Sequence, residues 1–217
     1  GQTIPVLDPA TEEVIGKAPV GGVAEAEQAI DAARTAFDHG PWAGLSMAER
    51  ADTMDHLLDA CLNNAEQIQE ILTAEGGVTY QLARGMQFSD PIELCRRAIE
   101  RARCLKPRHL PTETAVHPLD PTGKRILGGG LVVREPYGVV TAITPFNAPF
   151  LLNLSKIVPA LLAGNTVILK PSPLTPFSAL LFGELAEEAG LPQGVLNIVT
   201  GGNDVGAMLT SDPRVDM

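Results

Sequence analysis

Apolar and polar positions are most sharply organised between Tyr137 and Pro176, in the stretch YGVVTAITPFNAPFLLNLSKIVPALLAGNTVILKPSPLTP. Two apolar, β-branched runs, Gly138–Ile143 and Thr166–Leu169, flank a helix-length apolar segment, Leu151–Ala163, which Gly164 is placed to stop. The pattern then predicts a helix from about Pro176 with Thr175 as its N-cap, ended by Gly190. A third strand over Val195–Val199 follows, and Gly201-Gly202 leads into a short helix near Val205–Leu209. Strands and helices alternating in this way predict a right-handed parallel βαβαβ unit, half of a doubly wound nucleotide-binding sheet. The next strand is expected to begin at Arg214–Met217, where the sequence stops. Open parallel sheets bind ligands outside the carboxyl ends of their strands, so Thr144–Asn147 and Lys170–Thr175 are where function is expected.

Upstream, Ile4–Gly16 reads as two extended pieces joined by a turn at Asp8-Pro9-Ala10-Thr11. Ala26, Ala29, Ile30, Ala33 and Phe37 share one helical face, and Gly40-Pro41 ends that helix. Ser46 and Glu49 have capping-box spacing before a helix carrying Met54, Leu57, Leu58, Cys61 and Leu62. Asn63-Asn64 interrupts it, Asn64 with Gln67 repeats the capping arrangement, and Gly76-Gly77 closes the next segment. Asp90-Pro91 is read as opening a further helix, with Ile92, Cys95, Ile99 and Ala102 facing inward. From Lys106 to Pro136 the texture changes to Pro, Thr and Gly with extended pieces, which predicts a long ribbon whose edge needs another surface to cover it. The expected organisation is therefore N-terminal strands and helices over 1–105, a ribbon arm over 106–136, and a Rossmann-like part over 137–217.

Composition narrows the class of partner. The formal net charge is −10 over 217 residues, with 45% hydrophobic and 19% charged residues. This is a globular balance that argues against a nucleic-acid partner, because phosphate binding relies on clustered Lys and Arg. The short basic run Arg96, Arg97, Arg101, Arg103 reads as a solvated or subunit-facing helix surface. No apolar stretch approaches the roughly 20 residues of a membrane span, and no signal-peptide pattern opens the chain, so a cytoplasmic location is the default expectation. Cys61, Cys95 and Cys104 lack CxxC spacing and read as reduced, structural thiols. His39, His56, His109 and His117 form no recognisable constellation, and no metal site is expected.

The strand ends carry the candidate chemistry. No G-x-G-x-x-G follows the first strand, and the second ends in Lys170 instead of an acidic residue, so a dinucleotide would have to bind without the usual pyrophosphate turn. Lys170 and Ser172 can donate to ribose oxygens or to a 2′-phosphate; alternatively Lys170 is a solvated strand end and Pro171-Ser172-Pro173 a rigid connector. Asn147 stands in an apolar passage between Phe146 and Pro149. It reads either as a turn residue bonding nearby backbone or as a donor to a developing oxyanion.

The runs REPYGVVTAITPFNAPF, KIVPALLAGNTVILKPSPLTP and AEEAGLPQGVLNIVTG, with the opening DPATEEVIG and the segment AFDHGPWAGLSMAER, resemble the aldehyde dehydrogenase superfamily over essentially the whole chain. The resemblance implies that Asn147 is the oxyanion-stabilising asparagine. It implies that Ile143, Thr144, Pro145, Phe146, Lys170, Ser172 and Pro173 lie at positions that meet the adenosine part of NAD or NADP, with Gly202 and Gly206 toward the phosphates. Phe146 stands where the family often has Trp. Pro173 replaces the Glu common in NAD-preferring members, so NAD and NADP both stay open. In the family a Cys thiolate attacks a small-molecule aldehyde, hydride passes to the nicotinamide, and a carboxylate-activated water releases the acid. The family's nucleophilic Cys and general-base Glu would fall beyond residue 217. The chain alone is thus expected to lack the catalytic domain and to be inactive, whereas the full-length enzyme is expected to be a homodimer or homotetramer. The rival reading is a truncated, non-catalytic nucleotide-binding or assembly module.

Overall fold

The computed structural model describes residues 1–217 and divides into two units, Gly1–Arg103 with Pro136–Met217, and Cys104–Glu135. The first unit opens with an antiparallel hairpin, β1 (Gln2–Leu7) and β2 (Val14–Val20). Helix α1 (Val23–His39) buries Ala26, Ala29, Ile30, Ala33 and Ala36, while Phe37 sits half-buried beneath the Arg34 guanidinium. A short 3-10 turn (Trp42–Gly44) leads to α2 (Met47–Asn63). Its capping box forms as the spacing predicts, with the Glu49 N–H on Ser46 Oγ at 3.2 Å and the Ser46 N–H on Glu49 Oε2 at 2.8 Å.

Three expectations about helix ends need amendment. Asn64 stands at the N-cap of α3 (Ala65–Gly76) as read, but its side chain makes no capping bond there; its amide donates to the Ala60 carbonyl at 2.9 Å and closes the preceding helix. Asp90-Pro91 opens a helix as read, but that helix has no free amino end. Helix α4 (Tyr80–Leu82), capped by Thr79, runs through a π-helical turn (Ala83–Ser89) directly into α5 (Asp90–Arg103). The turn widens because Pro91 has no N–H for the carbonyl four residues back, and the Asp90 N–H reaches Gly85 instead. Thr175 is not the N-cap of α7, for a reason that belongs with the site. The inward face predicted for α5 is observed, with Ile92, Cys95, Ile99 and Ala102 buried. The basic residues lie outside: Arg103 pairs with Asp52 and Asp55, and Arg97 with Glu93. Cys61 and Cys95 are core thiols, but Cys104 is exposed, beyond the last buried turn of α5.

The second unit is a ribbon of nested antiparallel pairs. β3 (Arg108–His109) pairs with β6 (Leu131–Val132), and β4 (Glu113–Val116) pairs with β5 (Arg125–Gly128). All four strands are exposed along their whole length.

After Pro136 the α/β alternation appears as read: β7 (Val139–Ile143), α6 (Pro149–Leu162), β8 (Thr166–Lys170), α7 (Phe177–Glu188), β9 (Leu196–Ile198) and α8 (Asn203–Ser211). The strands form a parallel sheet in the order β7-β8-β9, Val139 opposite Thr166 and Val167 opposite Leu196. Side chains alternate across it. Ile168 and Val139 face a core built with α1 and α8, whereas Val167, Leu169 and Ala142 face the larger core of α2, α5, α6 and α7. Covered on both faces, β8 is buried at every residue, which is why it reads as a continuous apolar run. The carboxyl end of α6 is closed from the N-terminal segment, the Trp42 indole donating to the Leu161 carbonyl at 3.2 Å and Arg50 Nε to Leu162 at 3.0 Å.

The backbone after α8 returns to the free edge of β7. The Thr141 N–H donates to Met217 at 2.7 Å, the Asp216 N–H to Val139 at 2.9 Å, and Asp216 Oδ2 accepts the Val139 N–H at 2.8 Å. The approach requires glycine at 138, where φ is +137° and an added Cβ would lie 1.9 Å from Asp216 Oδ2. Winding therefore reverses at β7, whose carboxyl end carries the Ile143–Asn147 loop.

Candidate functional site

The loop after β7 and the end of β8 are joined directly. The Thr144 N–H donates to the Lys170 carbonyl at 3.0 Å, and the buried Thr144 hydroxyl donates to Asn153 Oδ1 on α6 at 2.7 Å. Ile143, Pro145, Phe146 and Asn147 are exposed along the rim, Phe146 by 55%. Behind Asn147, Gln87 from the π-helical turn donates to the Asn147 backbone carbonyl at 3.5 Å. The Asn147 side chain makes none of the loop's hydrogen bonds to nearby backbone, so the reading of it as a self-bonding turn residue finds no support in the geometry.

Lys170 is not the solvated strand end that the blander reading supposed, because only 6% of its surface is accessible. Its stem runs beside α8, where a Cβ at Gly206 would stand 3.7 Å from Lys170 Cε, an ordinary contact. Its ammonium takes part in none of the ion pairs of the chain. Burial holds it below the usual lysine value, an effect that Asp204 in the first turn of α8 opposes. Ser172 Oγ accepts the Leu174 N–H at 3.2 Å, which leaves the hydroxyl proton free to donate outward. Gly202 is the N-cap residue of α8. It is brought close to Asp204 and not to Lys170.

Pro173 and Phe146 line one side of a cleft of about 410 Å³ whose other wall is β1 and Glu75. Glu75 is buried and accepts the Phe177 and Ser178 N–H groups at 2.7 and 3.0 Å. A carboxylate from α3 thus performs the capping that Thr175 was expected to provide, while the Thr175 hydroxyl is left without a partner. Burial pushes the Glu75 carboxyl upward and the two bonds at Ser178 and Phe177 oppose it. Sequence reading missed Glu75, Gln87 and Asn153. Their shared signal is a polar residue on the inward side of a helix, visible only once the inward sides are known.

The donors on hand are an ammonium lacking a carboxylate partner, a free hydroxyl and an apolar rim, set at a parallel-sheet switch point. They fit a dinucleotide held by its ribose, and no group of side chains could hold a metal ion. No helix is long and apolar enough to cross a membrane. The fold is a parallel α/β sheet with helices packed on both faces. The whole length of the chain, residues 1–217, matches the family model described as "Aldehyde dehydrogenase family", and the chain belongs to that family. It is 39% identical over 216 residues to glutarate-semialdehyde dehydrogenase of Pseudomonas aeruginosa, covering 99% of this chain and 42% of the relative. The NAD-dependent aldehyde dehydrogenase from Sinorhizobium meliloti superposes with a TM-score of 0.87 at 38% identity, covering 100% of this chain and 41% of that one. An aldehyde dehydrogenase from Mycobacterium tuberculosis, solved in complex with NAD+, gives 0.87 at 36% identity, over 99% and 42%. The chain thus spans about two fifths of the length of these proteins.

Proposed function

We propose that this chain is the amino-terminal, cofactor-binding part of an NAD(P)-dependent dehydrogenase that oxidises a small aldehyde to its carboxylic acid. The observation that carries the reading is Lys170, a buried ammonium with no carboxylate partner at the carboxyl end of the central strand, packed along Gly206. In this reading Lys170 and Ser172 donate to the adenosine ribose, Ile143, Thr144, Pro145, Phe146 and Pro173 form the surface that the adenosine half lies against, and Gly202 and Gly206 admit the phosphates. With Pro173 in place of an acceptor, nothing at that position repels a 2′-phosphate, so NAD and NADP are both accommodated. The bound nicotinamide supplies the hydride acceptor. Asn147 directs its amide at the oxygen on which negative charge develops, and the apolar rim keeps water from that oxygen.

Neither core thiol serves as nucleophile, because burial pushes both Cys61 and Cys95 up to about 12. The chain by itself is expected to give no sustained NADH production from any aldehyde; turnover that survives repurification would contradict this. The ribbon Cys104–Glu135, with Leu119 86% and Leu127 75% exposed, is read as the arm that joins subunits of a homodimer or homotetramer.

Lys170→Ala tests the cofactor assignment. NAD(P) affinity is expected to fall by about tenfold or more, as for a charged hydrogen bond, while folding is retained. The ammonium supplies that affinity only while protonated. Binding should therefore weaken on the alkaline side, at a lower pH than an ordinary lysine would dictate, because burial lowers its pKa. Unchanged affinity in the variant would remove Lys170 from the site.

A further inference from the structure

Two buried side-chain amides lie beneath the Thr144–Asn147 loop, and each uses only part of its hydrogen-bonding capacity. Gln87 is 1% exposed and Asn153 fully buried. Gln87 Nε2 meets the Asn147 carbonyl, and Asn153 Oδ1 meets the Thr144 hydroxyl, while Gln87 Oε1 and Asn153 Nδ2 have no partner. Each amide therefore keeps one buried polar atom without a partner, a cost that an apolar residue at Gln87 would not carry, while Asn153 also satisfies the buried Thr144 hydroxyl. What they share is the loop. Gln87 reaches its distal end at Asn147 at 3.5 Å, Asn153 meets its proximal end at Thr144 at 2.7 Å, and the Thr144 N–H ties it to β8 at 3.0 Å.

The backbone around Gln87 is itself shaped for this. The π-helical turn that carries Gln87 departs from the regular ladder, with the Asp90 N–H reaching five residues back to Gly85. Such wide turns change the direction in which a side chain leaves a helix and recur at functional sites. Because a carbonyl can only accept, the part of the Gln87 amide that meets Asn147 is its N–H₂.

We infer that Gln87 is a positioning residue for Asn147, holding its backbone so that the side-chain amide stays aimed at the reacting oxygen; the inference rests on the proposed role of Asn147. Asn153 does the same for the other end of the loop through Thr144. In the complete protein, Gln87→Met is expected to lower kcat by about 10- to 100-fold, the scale of a small misplacement of a catalytic group, with KM for aldehyde and for NAD(P) within about twofold. Because Gln87 acts through Asn147, the double variant Gln87→Met/Asn147→Ala should lie within about threefold of Asn147→Ala alone. Gln87→Glu gives a second reading independent of folding losses: an ionised carboxylate cannot donate to the Asn147 carbonyl, whereas a protonated one can. Its kcat relative to the parent enzyme should therefore recover as pH falls. A normal kcat in Gln87→Met, losses that multiply in the double variant, or a Gln87→Glu ratio flat with pH would each overturn the inference. Full activity in Asn147→Ala would overturn the proposed role of Asn147 and this inference with it.

Discussion

Asn147→Ala in the complete protein is expected to lower kcat by about 10²–10³-fold, with little change in the KM for the aldehyde. That size follows from what an oxyanion donor does: it is engaged far more strongly once charge has developed than in the ground state, so its loss falls on the chemical step. The local geometry suits this role. Asn147 is exposed at the rim while its neighbours Ala148, Pro149 and Phe150 are buried, and its backbone is held from behind by Gln87. The loop that carries Asn147 is therefore contacted from behind. The measurement is steady-state kinetics at saturating NAD(P), with thermal unfolding to confirm that the variant is folded. A loss confined to KM would mean that Asn147 binds substrate without favouring the transition state.

Phe150→Ala carries the largest expected effect on stability. Phe150 is fully buried in the first turns of α6, stacked between Phe88 of the π-helical turn and Phe182 of α7, with both centroid separations at 5.4 Å. It joins three elements behind the Asn147 loop. Truncation leaves a cavity that rigid neighbours cannot close, at a cost of about 3–5 kcal/mol. For a chain of this size that is a fall in Tm of about 10 °C or more. Circular dichroism melts of the parent and variant chains would measure it, and a shift of only about 2 °C would show that the stack is not a principal tie of the core.

Much of the fold is legible along the sequence because the features concerned are local. Apolar runs ended by Gly or polar residues mark the three strands. The Ser46–Glu49 spacing marks the start of α2, and Gly77, with φ +63°, marks the end of α3. The misread features have either a competing local bond or a partner far off in sequence. Pro91 looks like a helix start when only its neighbours are considered, but the wide turn before it lets the helix begin at Tyr80. Thr175 has the right chemistry for a cap, yet Glu75, about a hundred positions earlier, takes the two amides. Lys170 reads ambiguously because its burial depends on α8, which lies beyond the next helix and strand. The sheet pattern alone points to the strand ends as the place for a site. The supports of that site come from the helices of Gln87 and Asn153, where a polar residue on an inward face looks like any other until the packing is known.

In the proposed function the carboxyl ends of β7 and β8 hold the adenosine half of NAD(P) through Lys170. A crystal structure of the complete protein soaked with NAD+ tests it most directly. Lys170 Nζ and Ser172 Oγ are expected within hydrogen-bonding distance of the adenosine ribose, with the adenosine against Ile143–Phe146 and Pro173. Cofactor bound elsewhere, with the Lys170 ammonium left without a contact to it, would contradict this.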